Sequence, residues 1–172
     1  MIAPKDKERF EKILASASAF AELNPEEIQS ILEACELKVL APREALWAVG
    51  GRGEAAFILI EGKVEQTERH PPDGHRVNQY NRPGTLLGLS YLVKGWRHQS
   101  AASAMERTTL LRLTRDRFEA MFEAGDPGAF ALVDEIAEDL VQEMRDANRR
   151  LHEVFGNPAE TLRTLRRRVR QM

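Results

Sequence analysis

The chain has 172 residues, 42% of them hydrophobic, enough for one domain with a real core and an appended helix but too few for two full domains. Lys and Arg total 25 against 27 Asp and Glu, a formal net charge of -2, which excludes a global field drawing the protein to nucleic acid or anionic lipid; any basic function must be local. Cys35 has no second cysteine for an internal disulfide, and Lys5, Asp6, Lys7, Glu8 and Arg9 stand where a signal peptide would be apolar. No run approaches a membrane span, so a cytoplasmic protein is expected.

The first 35 residues read as helical. Asn24-Pro25-Glu26-Glu27 is a capping box, with Asn24 taking orphan N–H groups, Pro25 in the first turn and Glu27 reaching back. Ile28, Ile31, Leu32 and Cys35 then recur at helical spacing, which makes Cys35 a small core residue. From about Leu37 to Leu113 the texture changes to short apolar runs such as Leu46-Trp47-Ala48-Val49 and Phe57-Ile58-Leu59-Ile60. Gly50, Gly51, Gly53, Gly62, Gly84 and Gly88 mark corners between them. Strands at such intervals predict a barrel or jelly roll, with Pro71-Pro72-Asp73-Gly74 as a hairpin tip. After Asp126-Pro127-Gly128 the period changes again. Phe130, Val133, Ala137, Leu140, Met144, Ala147, Leu151 and Val154 alternate three- and four-residue steps, an a/d seam that calls for a partner helix. Gly156 stops it, and residues 161–172 place Arg163, Arg166, Arg167, Arg168 and Arg170 among Leu162, Leu165, Val169 and Met172 at helical spacing. The plain reading of that tail is a solvated helix docked by its four apolar residues; the sharper ones are contact with a partner protein, anionic lipid or nucleic acid.

Catalytic and metal signals are weak. Gly50-Gly51-Arg52-Gly53 lacks the Gly-Lys-Ser/Thr ending and following helix of a P-loop. His70, Asp73 and His75 flank a solvated turn without a third anchored ligand, so no metal site is expected. No Ser-His-Asp or Cys-His arrangement has a supporting motif, and the chain is not expected to be an enzyme. Trp47 and Trp96 are read first as core or lid residues, with stacking on a base as the sharper alternative.

Taken in order, these segments resemble the cyclic-nucleotide-binding domain of catabolite activator proteins and protein kinase A regulatory subunits, over roughly residues 20 to 155. Ala41-Pro42-Arg43-Glu44-Ala45-Leu46-Trp47 stands where that family has an extended strand, and Phe57-Ile58-Leu59-Ile60-Glu61-Gly62-Lys63-Val64 is similar to its next strand and turn. Pro83-Gly84-Thr85-Leu86-Leu87-Gly88 resembles the approach to its phosphate-binding cassette, and Thr108 to Phe118 its last strand and following helix. The resemblance implies an α+β fold, a β-roll flanked by N-terminal helices and a long C-terminal dimerisation helix. It places the cassette at Gly88, Leu89, Ser90, Arg97, His98, Gln99, Ser100 and Ala101.

The cassette departs from the family pattern. Relatives that bind cAMP place Glu where Leu89 stands and Arg where His98 stands; Arg97 comes one residue early, which in a strand turns it to the wrong face, although a loop insertion just before it could restore its aim. Two readings stand. The cassette is a pocket for a small anionic or nucleotide-like effector, using backbone N–H groups near Gly88 and Ser90 and the side chains of Arg97, His98 or Ser100, or it is a loop that binds nothing.

The expected organisation is therefore a sensor domain over 1–127, a dimerisation helix over 128–155 and a basic tail over 156–172. The expected function is a stand-alone regulatory sensor that acts as a homodimer, with a cyclic nucleotide as the candidate effector and no cofactor. The rival is a non-ligand-binding adaptor whose dimer and arginine tail contact a partner protein or nucleic acid. A helix-turn-helix after the long helix would need three helices, more than the residues after Phe155 hold, so DNA binding of that type is not expected.

Overall fold

The structure, a computed structural model, describes residues 2, 4–70, 74–93 and 96–156. Two helices open it, α1 (Pro4–Ser16) and α2 (Pro25–Ala34), joined through a 3-10 turn at Ser18–Phe20. The expected capping box is formed: the Asn24 side chain accepts from the N–H groups of Glu26 and Glu27, and the Asn24 N–H donates to the Glu27 carboxylate at 2.8 Å. The buried face of α2 carries Ile28, Ile31 and Leu32, with Cys35 buried just beyond, where desolvation pushes the thiol pKa up to about 12.

Eight strands follow: β1 (Glu36–Leu40), β2 (Ala45–Trp47), β3 (Ala55–Glu61), β4 (Val64–His70), β5 (Gly74–Tyr80), β6 (Leu86–Leu87), β7 (Ser100–Ala104) and β8 (Thr108–Thr114). They make two antiparallel four-stranded sheets, ordered β1-β8-β3-β6 and β2-β7-β4-β5. Leu40, Phe57, Leu59, Val64, Leu87, Ala102, Ala104 and Leu110 form one buried cluster with members from both sheets, against which Leu46, Trp47 and Tyr80 pack. In β3 the residues between those cluster members, Ala56, Ile58 and Ile60, are buried as well, as in a strand covered on both faces. The hairpin of β4 and β5 pairs His70 with Gly74; its tip, 71–73, lies outside the described residues.

One segment differs from its sequence reading. Residues 41–44, expected as extended chain, form a turn: the Glu44 N–H donates to the Ala41 carbonyl at 3.0 Å, and the Glu44 carboxylate accepts from the Ala41 N–H at 2.9 Å. Pro42 fixes the second position of the turn, and Arg43 holds the third at φ 68, the left-handed region that a type II turn requires there.

Three further helices are found among the described residues, α3 (Ser90–Val93), α4 (Arg115–Glu123) and α5 (Pro127–Phe155). The chain divides into two compact units, Met1–Ile136 and Ala137–Met172, so the division falls inside α5. In the first unit α5 buries Ala129, Leu132 and Ile136, while Phe130 is 46% exposed and meets the equally exposed Phe122 edge-on at 5.4 Å. In the second unit Val141, Met144 and Leu151 are exposed, Met144 by 66%. Of the expected seam, Ala137 and Ala147 are also exposed, Val133 and Leu140 are half-buried, and Val154 lies in the same helix. The arginine tail, 157–172, lies outside the described residues.

Candidate functional site

The cassette begins where β6 ends. Gly88 adopts φ 72, a conformation L side chains rarely take, and so turns the chain from the strand into α3. Leu89, at the position the resemblance assigns to a carboxylate, is buried at 5% exposure, and Ser90 begins the four-residue α3. After 94–95, which lie outside the described residues, the chain returns antiparallel to the Gly50–Gly53 segment. The His98 N–H donates to the Gly51 carbonyl at 2.9 Å, the Gly50 N–H to the His98 carbonyl at 2.8 Å, and the Gly53 N–H to the Trp96 carbonyl at 2.9 Å. These three bonds fix which way each side chain of 96–98 points.

That orientation separates Arg97 from His98. Arg97 is exposed and its guanidinium donates to the Gly50 carbonyl at 2.7 Å. His98 is buried at 5% exposure, at the position where the resemblance would put the guanidinium. Its ring stacks on Trp47 of β2 with centroids 4.8 Å apart and planes 8° from parallel, while Tyr91 of α3 leans against its ring at 4.1 Å and 56°. Trp47 in turn stacks on Phe57 of β3 at 6.0 Å. Burial pushes the His98 imidazole below its ordinary pKa, so the neutral form is favoured. The buried Nε1 of Trp47 and Nδ1 of His98 have no hydrogen-bond partner among the described residues.

Of the remaining expected residues, Gln99 is exposed and Ala101 half-buried. Ser100 is buried, and its hydroxyl accepts from the Gln66 amide at 2.7 Å, while the Gln66 carbonyl oxygen accepts from the Tyr80 hydroxyl at 2.9 Å. This chain ties β7, β4 and β5 together on the sheet beside the cassette. Trp96, the other candidate for stacking, is 48% exposed. Among the described residues no three His, Cys, Asp or Glu gather as a metal would need.

Sequence reasoning missed Tyr91 and Arg115. Gly53 is the only residue type that fits under Tyr91, because a Cβ there would stand 2.2 Å from the ring. Arg115, the first residue of α4, donates through one terminal nitrogen to the Gly53 and Tyr91 carbonyls, both at 2.6 Å, and through Nε to the Tyr91 and Leu92 carbonyls, both at 3.2 Å. One guanidinium therefore closes the end of α3 against the Gly53 segment and the start of α4.

A family model described as the cyclic nucleotide-binding domain matches residues 37–124. The cyclic AMP receptor protein of Thermus thermophilus is 28% identical over 102 residues, 59% of this chain and 47% of that protein. The chain thus spans about half the length of this curated relative. The crystal structure of Thermus thermophilus catabolite activator protein superposes with a TM-score of 0.70 at 24% identity, covering 80% of this chain and 63% of that one. A cyclic nucleotide-binding domain from Methylobacillus flagellatus gives 0.70 at 16% identity over 85% and 82% of the two chains. The sensor domain of the transcriptional regulator DNR from Pseudomonas aeruginosa gives 0.62 at 19% identity over 82% and 95%. At these identities the solved structures establish the β-roll with flanking helices, the α+β arrangement expected from the sequence. No helix among the described residues is long and apolar enough to cross a membrane.

Proposed function

Because the chain belongs to the cyclic nucleotide-binding domain family, we propose that it is a regulatory sensor module rather than a catalyst, which receives a small effector at the cassette and reports it through α5 in a homodimer. The observation that carries this reading is the continuous set of polar contacts from cassette to output helix. Arg115 holds the Tyr91 and Leu92 carbonyls of α3 and opens α4. The chain leaving α4 turns at Gly125 and reaches Asp126, whose carboxylate accepts from the Gly128 N–H at 2.8 Å in the first turn of α5 and from the Ser30 hydroxyl of α2. A displacement of α3 is thereby transmitted to the start of α5, whose exposed Phe130, Met144 and Leu151 form part of the a/d stripe. A ligand shifts such an equilibrium only by its differential affinity for the two arrangements, so an effector must bind more tightly when α3 is displaced, and the Arg115 contacts pass that displacement on to α4.

The homodimer is tested by light scattering on the parent chain and on Met144→Lys and Leu140→Glu. Each variant places a charge on the seam, where it would have to be desolvated against its symmetry mate. The expected result is a dimeric parent and monomeric variants that melt as cooperatively as the parent at the same concentration of folded protein. A monomeric parent, or variants that remain dimeric, would refute α5 as the output interface.

A further inference from the structure

A chain with a formal net charge of -2 can still gather positive charge locally, and one pair of strand segments does so. Between Asn81 and Met105 the sequence has no Asp or Glu but carries Arg82, Lys94 and Arg97; between Ala45 and Ile60 its one acid is Glu54, two residues after Arg52. Lys94 lies outside the described residues. Arg52 and Arg97 are direct partners in an isolated antiparallel bridge. The bonds that frame the bridge run from the His98 N–H to the Gly51 carbonyl and from the Gly53 N–H to the Trp96 carbonyl, each at 2.9 Å. The two arginines therefore do not bond each other's main chain. They form the closer type of antiparallel pair, with Cα atoms about 4.5 Å apart and side chains on one face. Successive side chains of a strand alternate, so this face is turned away from the buried His98.

Like charges directly opposite each other destabilise a strand pair, and here neither is well neutralised. The Arg52 side chain is 76% exposed and stands 4.0 Å from Glu54, too far for a hydrogen bond. Arg97 is exposed, makes no ion pair among the described residues, and commits one N–H to the uncharged Gly50 carbonyl. A guanidinium carries five donors, so both arginines retain N–H groups for an incoming acceptor. Beside them Val49 is 63% exposed, one residue before Gly50.

We propose that Arg52 and Arg97 together form a docking point for an acidic segment of a partner protein, whose carboxylate bridges the two guanidiniums while a neighbouring apolar side chain covers Val49. A carboxylate has two oxygens, matches the planar forks, and removes the repulsion across the bridge. A protein segment fits better than a nucleic acid or a lipid surface, because polyanion binding accumulates over many cations, whereas Glu54 stands beside this pair and repels a continuous phosphate backbone. The site lies on the face away from His98 and stands whether or not the cassette takes an effector.

Two measurements on the full chain test this. In a double-mutant cycle of Arg52→Gln and Arg97→Gln read by thermal melting, the coupling should be repulsive at low salt and vanish at high salt. An attractive or absent coupling at low salt overturns the premise. In an NMR titration, acetyl-Val-Glu-Glu-Val-amide should shift the amides of 49–53 and 96–98, and acetyl-Val-Gln-Gln-Val-amide should bind more weakly. Each arginine removed should weaken the Glu peptide about two- to fivefold, the range of an exposed ion pair, while Arg52→Lys keeps most of the preference. Equal binding of the two peptides, shifts confined to other residues, or no binding overturns the proposal. Tighter binding of a single-stranded DNA oligomer or of phosphatidylglycerol vesicles, lost in the same Gln variants, overturns the partner class in favour of a polyanion.

Discussion

Removing the Arg115 guanidinium should loosen the cassette before it loosens anything else. In Arg115→Ala the carbonyls of Gly53, Tyr91 and Leu92 lose a charged donor, two of the contacts being 2.6 Å long. A hydrogen bond to a charged group contributes ~1.5 to 3 kcal/mol, and because the site is only part-buried, water replaces some of what is lost. Counting the two short bonds at the lower end and neglecting the two longer ones gives a destabilisation of about 3 kcal/mol. For a chain of this length that corresponds to a fall of roughly 6 to 12 °C in Tm. The N–H of residue 115 still donates to the Glu54 carbonyl in the variant, so α4 keeps its backbone anchor. Arg115→Lys, whose ammonium is a point charge instead of a planar fork, should recover about half of the loss. Urea unfolding gives the global number, and amide exchange tells where it falls: protection should drop first over α3 and the Gly88 turn. A variant within about 0.5 kcal/mol of the parent, or one whose exchange rises uniformly, would show that the guanidinium does not clamp the cassette.

Two further substitutions probe the backbone and the buried imidazole. Arg43→Gly should stabilise the protein by about 0.5 to 1 kcal/mol, because relief of the left-handed strain at φ 68 outweighs the extra freedom glycine gives the unfolded chain; a loss of stability in urea would refute the strain. The His98 pKa lies below its ordinary value of about 6.5 through burial, so on acidification the unfolded chain takes up the proton first. Its contribution is therefore fully present above about pH 6.5 and is lost as pH falls through the folded-state value, and His98→Phe should flatten the stability curve in that window relative to the parent. Parallel curves for parent and variant would mean that His98 is not held neutral by its surroundings.

Much of the fold was legible because its signals are local. Asn24-Pro25-Glu26-Glu27 states its cap within four residues, glycines mark corners that need positive φ, and a change of hydrophobic period announces both the first strand and α5. The turn at 41–44 was not legible, since its third position carries Arg43 where a glycine would have signalled it. The interior of the cassette was hidden for another reason. Trp47, Tyr91 and His98 come from separate segments and meet only through the crossing of β2, α3 and the Arg97 bridge, so no spacing encodes their stack. Among the described residues the Arg115 guanidinium donates to main-chain carbonyls, which leave no signature in their own residues. The charge changes at Leu89 and His98 were visible at once, but that His98 would be buried beside an indole required the Gly51 hydrogen bond that orients it.

The strand order has a consequence for how the chain emerges during synthesis. The partner of β1 is β8 and the partner of β2 is β7, pairings that join Glu36 to Arg112 and Ala45 to Ser103. The β4–β5 hairpin can zip as soon as it leaves the ribosome, and β3 can meet β6 soon after. Until residues 100–114 have been made, however, β1 and β2 have no native neighbour, and both sheets present open edges with Leu37, Val39 and Leu40 exposed on a waiting strand. Unpaired edges of this kind recruit other chains, and contacts this distant in sequence form slowly. The vulnerable period is set by the translation of about seventy residues between the first strand and its partner, so pausing within that stretch should favour aggregation, whereas pausing after β8 should not.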